Sequence, residues 1–165
     1  MGKEKVKNLI MNNKEGLVRS VISVITLSVV VVAVICFVIY NKVLIGPVLI
    51  GLGFLPWIPL KISGRSIKST GADIIFGAID TGLLGIAALI GASFAGILGA
   101  IVGGAVGDAI TDAIAGLFEG RISEVLRKYG IKEARTPLSS SMGKMSGCLI
   151  GIGITLTIAW SIIKI

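Results

Sequence analysis

One run of about fifty residues, 71–120, constrains this chain more than any other. It reads GADIIFGAIDTGLLGIAALIGASFAGILGAIVGGAVGDAITDAIAGLFEG, nearly all apolar or glycine. Yet it holds every aspartate of the protein, Asp73, Asp80, Asp108 and Asp112, and no basic residue. A carboxylate held in hydrocarbon costs roughly 2.5 to 3.5 kcal/mol on insertion scales, so intramembrane acids persist where they do something. The expectation is that they bind a cation.

The hydrocarbon itself is inferred from patterning. Hydrophobic residues make up 54% of the chain and charged ones only 15%, and the apolar residues come in blocks, not at the spacing of a soluble core. The blocks lie at about 21–40, 43–60, 72–92, 96–118 and 142–163. Each approaches or reaches the ~20 residues that cross a ~30 Å hydrocarbon core. The expected fold class is therefore an all-α integral membrane protein of about five transmembrane helices, with the lipid bilayer as its first partner. Its third to fifth spans form a glycine-rich three-helix core.

A net charge of +7 raises the question of nucleic acid, but the basic residues fall between apolar blocks and are not interleaved with aromatics. No nucleic-acid partner is expected. Lys3, Lys5, Lys7, Lys14 and Arg19 precede the first block, Lys61, Arg65 and Lys68 follow the second, and Arg121, Arg127, Lys128, Lys132, Arg135 and Lys144 lie between the fourth and fifth. Only Lys42 and Lys164 stand elsewhere. Five spans with a cytoplasmic N-terminus put all three clusters inside, as the positive-inside rule asks. Cys36 and Cys148 both sit in apolar spans and read as small packing residues. The polar N-terminal stretch runs into a full-length span and has the pattern of neither a secretory signal nor a transit peptide, so it reads as an uncleaved anchor.

The chain divides into a basic cytoplasmic N-terminus (1–20), two membrane segments (21–60) and a core (71–165) with an interfacial amphipathic helix near 119–130. The first segment, rich in Val and Ile, suits a lipid-facing helix. The second carries Pro47, Pro56 and Pro59, each of which removes a backbone donor, so it should be bent or partly re-entrant. Trp57 would mark the interface. Thr136 followed by Pro137 signals a helix start, and Lys144, placed in the first turn, would snorkel to the cytoplasmic face.

Helical phasing sorts the acids. Asp73, Gly77, Asp80 and Thr81 share one face of the third span, Asp80 lying about two turns deeper than Asp73. Asp73 is equally a first-turn residue favoured by the helix dipole at headgroup level. In the fourth span Gly96, Ala100, Gly104, Asp108, Asp112 and Gly116 follow at four-residue spacing, so a stripe of small residues runs into two carboxylates. Such stripes let helix backbones approach closely in lipid, within one subunit or across a homodimer. The candidate ligands are Asp80, Asp108 and Asp112, with Thr81 and Thr111 as auxiliary oxygens and Glu119 as an entry group.

Three uses of these acids compete. Hard cations such as Ca²⁺ take six to eight oxygen ligands, and with no His and no thiolate cluster the softer metals fit poorly. An empty carboxylate cluster would also resist reorientation until cations neutralise it, which suits coupled exchange. A Mg²⁺-dependent lipid phosphotransferase would need basic residues near the acids to hold phosphates, and an enzyme is not expected. A glycine-zipper structural or pore-forming protein accounts for the glycines but not for four aspartates in two adjacent spans.

Three short motifs also carry a resemblance. FGAID (76–80), GDAITD (107–112) and MGKMSG (142–147) stand in the order of the motifs of the transmembrane protein 65 family, and the segment 76–152 resembles that family over about half the chain. The resemblance implies a three-span core and sodium-dependent calcium extrusion, with Na⁺ and Ca²⁺ as transported ions and no organic cofactor. Asp80 and Asp112 match acidic positions of the family. Asp108 departs from it, since asparagine stands there in the family, and so adds one potential negative charge. The resemblance and the missing transit peptide together imply a prokaryotic plasma membrane; the runner-up is a Mg²⁺ or H⁺-coupled divalent-cation carrier.

Overall fold

The computed structural model describes residues 3–41, 44–65, 67–128 and 136–163; the side chains of 3–13, 68–69, 118–127 and 163 lie outside the described set. The described residues are helical and turn, with no strand. They form α1 (Lys3–Tyr40), α2 (Ile45–Leu52), α3 (Trp57–Ile62), a 3₁₀ turn (Ile67–Thr70), α4 (Gly71–Lys128) and α5 (Pro137–Ile163). Four helical stretches are long and apolar enough to cross a membrane: Lys14–Tyr40, Ile45–Ile62, Gly71–Leu117 and Pro137–Ile162. Large apolar side chains cover the outside, among them Val29, Val32, Phe94, Ile97 and Leu117. This is the build of an all-α membrane protein.

The third stretch, 47 residues, would reach about 70 Å if straight, more than twice a hydrocarbon core. It is not straight. At Ala95 (φ −140°, ψ 24°) and Gly96 (φ 57°, ψ −133°) the helix leaves α geometry and folds back. The Gly96 conformation lies in the left-handed half of φ/ψ space that glycine enters without steric cost. Two arms result, 71–94 and 97–128, packed antiparallel. Gly91 faces Gly99, Ala87 faces Gly103, and Leu84 faces Gly107, each so close that a Cβ on the glycine would strike the opposite arm. The second arm continues without a break to Lys128, so residues 119–128 extend it and form no separate helix.

α5 lies between the first arm and α2. It runs parallel to the first arm, with Gly143 against Asp73, Gly147 against Ile74 and Ala78, and Gly151 against Ala78. It runs antiparallel to α2, where Gly153 meets Ile50 and Gly46 meets Thr157. Thr155 donates its hydroxyl to the Gly82 carbonyl at 3.1 Å, adding an interhelical hydrogen bond to the backbone contact. α1 packs more loosely, laying Val24 and Leu27 on the buried cluster of Leu60, Leu138 and Met142.

The proline-rich segment breaks where its chemistry demands. Between Gly53 and Pro56 the chain makes successive tight turns, because Pro56 and Pro59 lack the N–H groups a continuous helix would use. The Gly53 carbonyl so released accepts the Ser146 hydroxyl at 2.6 Å. Ser146, fully buried on α5, in turn accepts the Trp57 indole N–H at 3.0 Å. Trp57 thus ties α3 to α5, and Phe54 meets its ring edge-on with the centroids 4.9 Å apart. A side-chain hydroxyl satisfying a broken helix is how irregular backbone survives at membrane depth.

α5 begins at Pro137, with Thr136 as its cap. The Thr136 side chain accepts the Ser139 N–H at 3.2 Å, and the Ser139 hydroxyl accepts the Thr136 N–H at 3.0 Å, a reciprocal cap. Lys144 therefore lies about two turns into the helix, not in its first turn. Its side chain is exposed and its carbonyl packs on Gly77.

Candidate ion-binding site

The hairpin register decides which polar groups can meet. Continuing from the Gly91–Gly99, Ala87–Gly103 and Leu84–Gly107 levels, one more turn brings Asp80 opposite Thr111. Thr111 donates its hydroxyl to the Asp80 Oδ1 in a short hydrogen bond, while its Oγ also lies 3.1 Å from the carbonyls of Gly107 and Asp108. Thr111 is buried and Asp80 half-buried. At helical rise Asp80 stands about 13 Å from the start of its arm and about 22 Å from the turn, well inside a span of this length.

Beside the pair opens a groove of about 120 Å³, lined by Phe76, Ile79, Leu83, Ile114 and Ala115 in addition to Asp80 and Thr111. Apart from the carboxylate and the hydroxyl its walls are apolar. Asp80 supplies the one carboxylate of this lining.

The other acids spread out. Asp108 is half-buried, about 60° around the helix from Thr111 and a turn nearer the hairpin tip. Asp112, the next residue after Thr111, is turned about 100° away and is exposed. Among the described residues no three Asp, Glu or Cys side chains lie close enough together to hold a metal ion. The structure therefore joins Asp80 to Thr111, and does not gather Asp80, Asp108 and Asp112 into one shell within the chain. The reason is the register: the arms meet through Thr111, and a residue one position on points elsewhere. Thr81 is half-buried on the neighbouring face of the first arm, and Glu119 lies outside the described side chains.

Asp73 is the surprise. Left open by the sequence between the acidic face and a first-turn position at headgroup level, it is 1% exposed, pressed against α5 with the Ser140 hydroxyl 3.4 Å from its Oδ1. A Cβ on Gly143 would stand 2.7 Å from the Asp73 Cβ. The run of serines at 139–141 was the available signal, since hydroxyls at the start of one span suit an acid at the start of a parallel one.

No family model, curated protein or solved structure matches the chain.

Proposed function

We propose that the protein is a membrane cation carrier centred on Asp80, exchanging Na⁺ for Ca²⁺ across the bilayer. The observation that carries this reading is the Asp80–Thr111 pair. It places a carboxylate and a hydroxyl from two helices beside a groove inside an otherwise apolar hairpin. Oxygen donors of this kind suit hard cations, the chain has no histidine for softer metals, and the family resemblance points the same way.

In this reading α1, α2 with α3, the two arms of α4, and α5 make five crossings. The parallel run of the first arm with α5, and the antiparallel runs of the second arm and of α2, support that count. Arg19, Arg65 and Thr136 border one pocket at one end of the bundle, which the positive-inside rule assigns to the cytoplasm. Asp108, Asp112 and Thr81 supply further oxygens together with water, and a second copy facing the exposed side of the second arm would bring its own Asp112. Glu119 would receive the ion at the cytoplasmic end. Neutralisation of Asp80 by the bound cation then permits the hairpin to reorient, because an uncompensated carboxylate would not cross the closed core.

One observation favours proton coupling as a second reading. A groove lined by a single carboxylate, Asp80, held by a hydroxyl is an arrangement in which protonation of that one group removes the charge. Proteoliposomes distinguish the two. Calcium uptake driven by an imposed sodium gradient, lost in Asp80→Asn and reduced in Asp112→Asn, supports exchange; uptake driven only by a pH gradient supports proton coupling. Wild-type flux in both variants sinks the site, and leakage of a trapped dye from the same vesicles would identify a pore.

A further inference from the structure

At the opposite side of the bundle from the hairpin groove, α1, the α3 turn and the start of α5 enclose a pocket of about 300 Å³. Two arginines from separate segments, Arg19 and Arg65, line it with Ser63, Thr136 and Leu138. Both arginine side chains are exposed, and among the described residues neither is in an ion pair. Glu15 lines the neighbouring surface with Lys14, Val18 and Arg19, and no acid is among the residues that line this pocket.

Arg65 is held there by local geometry. α3 closes with Gly64 at φ 66°, and the Arg65 N–H reaches back to the Leu60 carbonyl at 2.9 Å, the bond that ends a helix in a Schellman turn. Leu60 itself is fully buried, so the turn and the arginine after it are anchored to the core. Arg19 is carried on α1 one residue before Ser20, whose buried hydroxyl bonds the Gly16 carbonyl at 2.8 Å. The first N–H groups of α5 contribute little, since Thr136 and Ser139 already cap each other. The positive charge of the pocket is that of the two guanidinium groups, which bind phosphate oxygens in pairs of parallel hydrogen bonds.

We infer that this pocket binds the phosphate of an anionic phospholipid. The lipid, as opposed to a soluble phosphate, follows from what adjoins the pocket. Leu17 and Leu138 form part of its wall, and on the same flank of α1 as Leu17 the following turns carry the exposed Val21 and the half-buried Val24, so apolar surface where acyl chains would lie continues along the helix from the pocket. A headgroup seated between Arg19 and Arg65 would thus have its tails on α1, bridging the most loosely packed helix to α3 and α5. Basic pockets between transmembrane helices are the usual setting for such headgroups.

The test is native mass spectrometry of the full-length protein titrated with phosphatidylglycerol and with phosphatidylcholine of the same acyl chains. The expected result is at least a tenfold preference for phosphatidylglycerol, reduced to no preference in Arg19→Gln/Arg65→Gln. Lys61→Gln, which removes an exposed charge outside the pocket, should leave the preference intact. The Arg19→Lys/Arg65→Lys variant, which keeps the charge and guards against a folding artefact, should lose about threefold because the paired hydrogen bonds go. An equal loss in Lys61→Gln, an unchanged preference in the double glutamine variant, or displacement of the lipid by an equal concentration of glycerol phosphate would overturn the assignment.

Discussion

Thr111 and Asp80 lie thirty-one residues apart in sequence and meet across a helical hairpin whose turn is two residues long. The hydroxyl of one arm is the hydrogen-bond donor to the carboxylate of the other. Thr111→Val keeps the shape and removes the donor, and we predict a loss of about 1 to 2 kcal/mol in stability with a collapse of ion flux, whereas Thr111→Ser retains both. Thermal unfolding in detergent and vesicle flux check this pair of variants. Equal behaviour of the valine and serine forms would show that the hydroxyl is idle.

Gly96 has φ 57° and open space around it, so a methyl there meets no neighbour and only the backbone resists. Gly96→Ala is predicted to cost roughly 1 to 3 kcal/mol from conformation alone. Ala95→Gly, at an ordinary φ, should change little. A melting temperature unchanged by Gly96→Ala would mean that the turn relaxes into another geometry.

Gly151 and Gly116 make a matched comparison, both being helical glycines. A side chain at Gly151 strikes the Ala78 backbone, while one at Gly116 meets nothing within 4 Å. Gly151→Val should therefore destabilise by more than about 2 kcal/mol, and Gly116→Val should be tolerated in the monomer. If Gly116→Val instead disrupts a crosslinked dimer, the second arm is the face between two copies.

Ser146→Ala removes the one group shared by the Trp57 indole and the Gly53 carbonyl. Leaving the buried Gly53 carbonyl and the half-buried Trp57 indole unmatched is predicted to cost about 1 to 3 kcal/mol. Trp57 emission should shift as its indole gains water, and Trp160→Phe in the same background isolates that signal from the only other tryptophan. Unaltered emission and stability would mean that water replaces the hydroxyl without loss.

Much of this was legible in the sequence because the periodicities were unambiguous. Apolar blocks located the helices, Thr136 and Pro137 located the start of α5, and the prolines of 43–60 signalled a bent segment without saying that the break falls at Pro56 and not at Pro47, which lies inside α2. The exclusive pairing of Asp80 with Thr111 was not legible. Phasing one helix says which residues share a face, but only the turn at Ala95–Gly96 fixes which residue of the second arm stands level with Asp80. Thr111 was an auxiliary on paper and is the principal partner in the fold, whereas Asp112 points away. The burial of Asp73 was hidden for a related reason: a parallel neighbour far along the chain covers it, and nothing local to 71–75 reports that.

The shortness of the Ala95–Gly96 turn bears on how the protein is made. Two arms joined so tightly cannot enter a bilayer far apart in time, so they are predicted to insert as one hairpin. The Asp80 carboxyl group would then be met by the Thr111 hydroxyl during insertion, before the first arm stands alone in lipid. Lengthening the turn with a flexible polar loop should uncouple the arms and lower the yield of inserted protein, and Asp80→Asn should restore it.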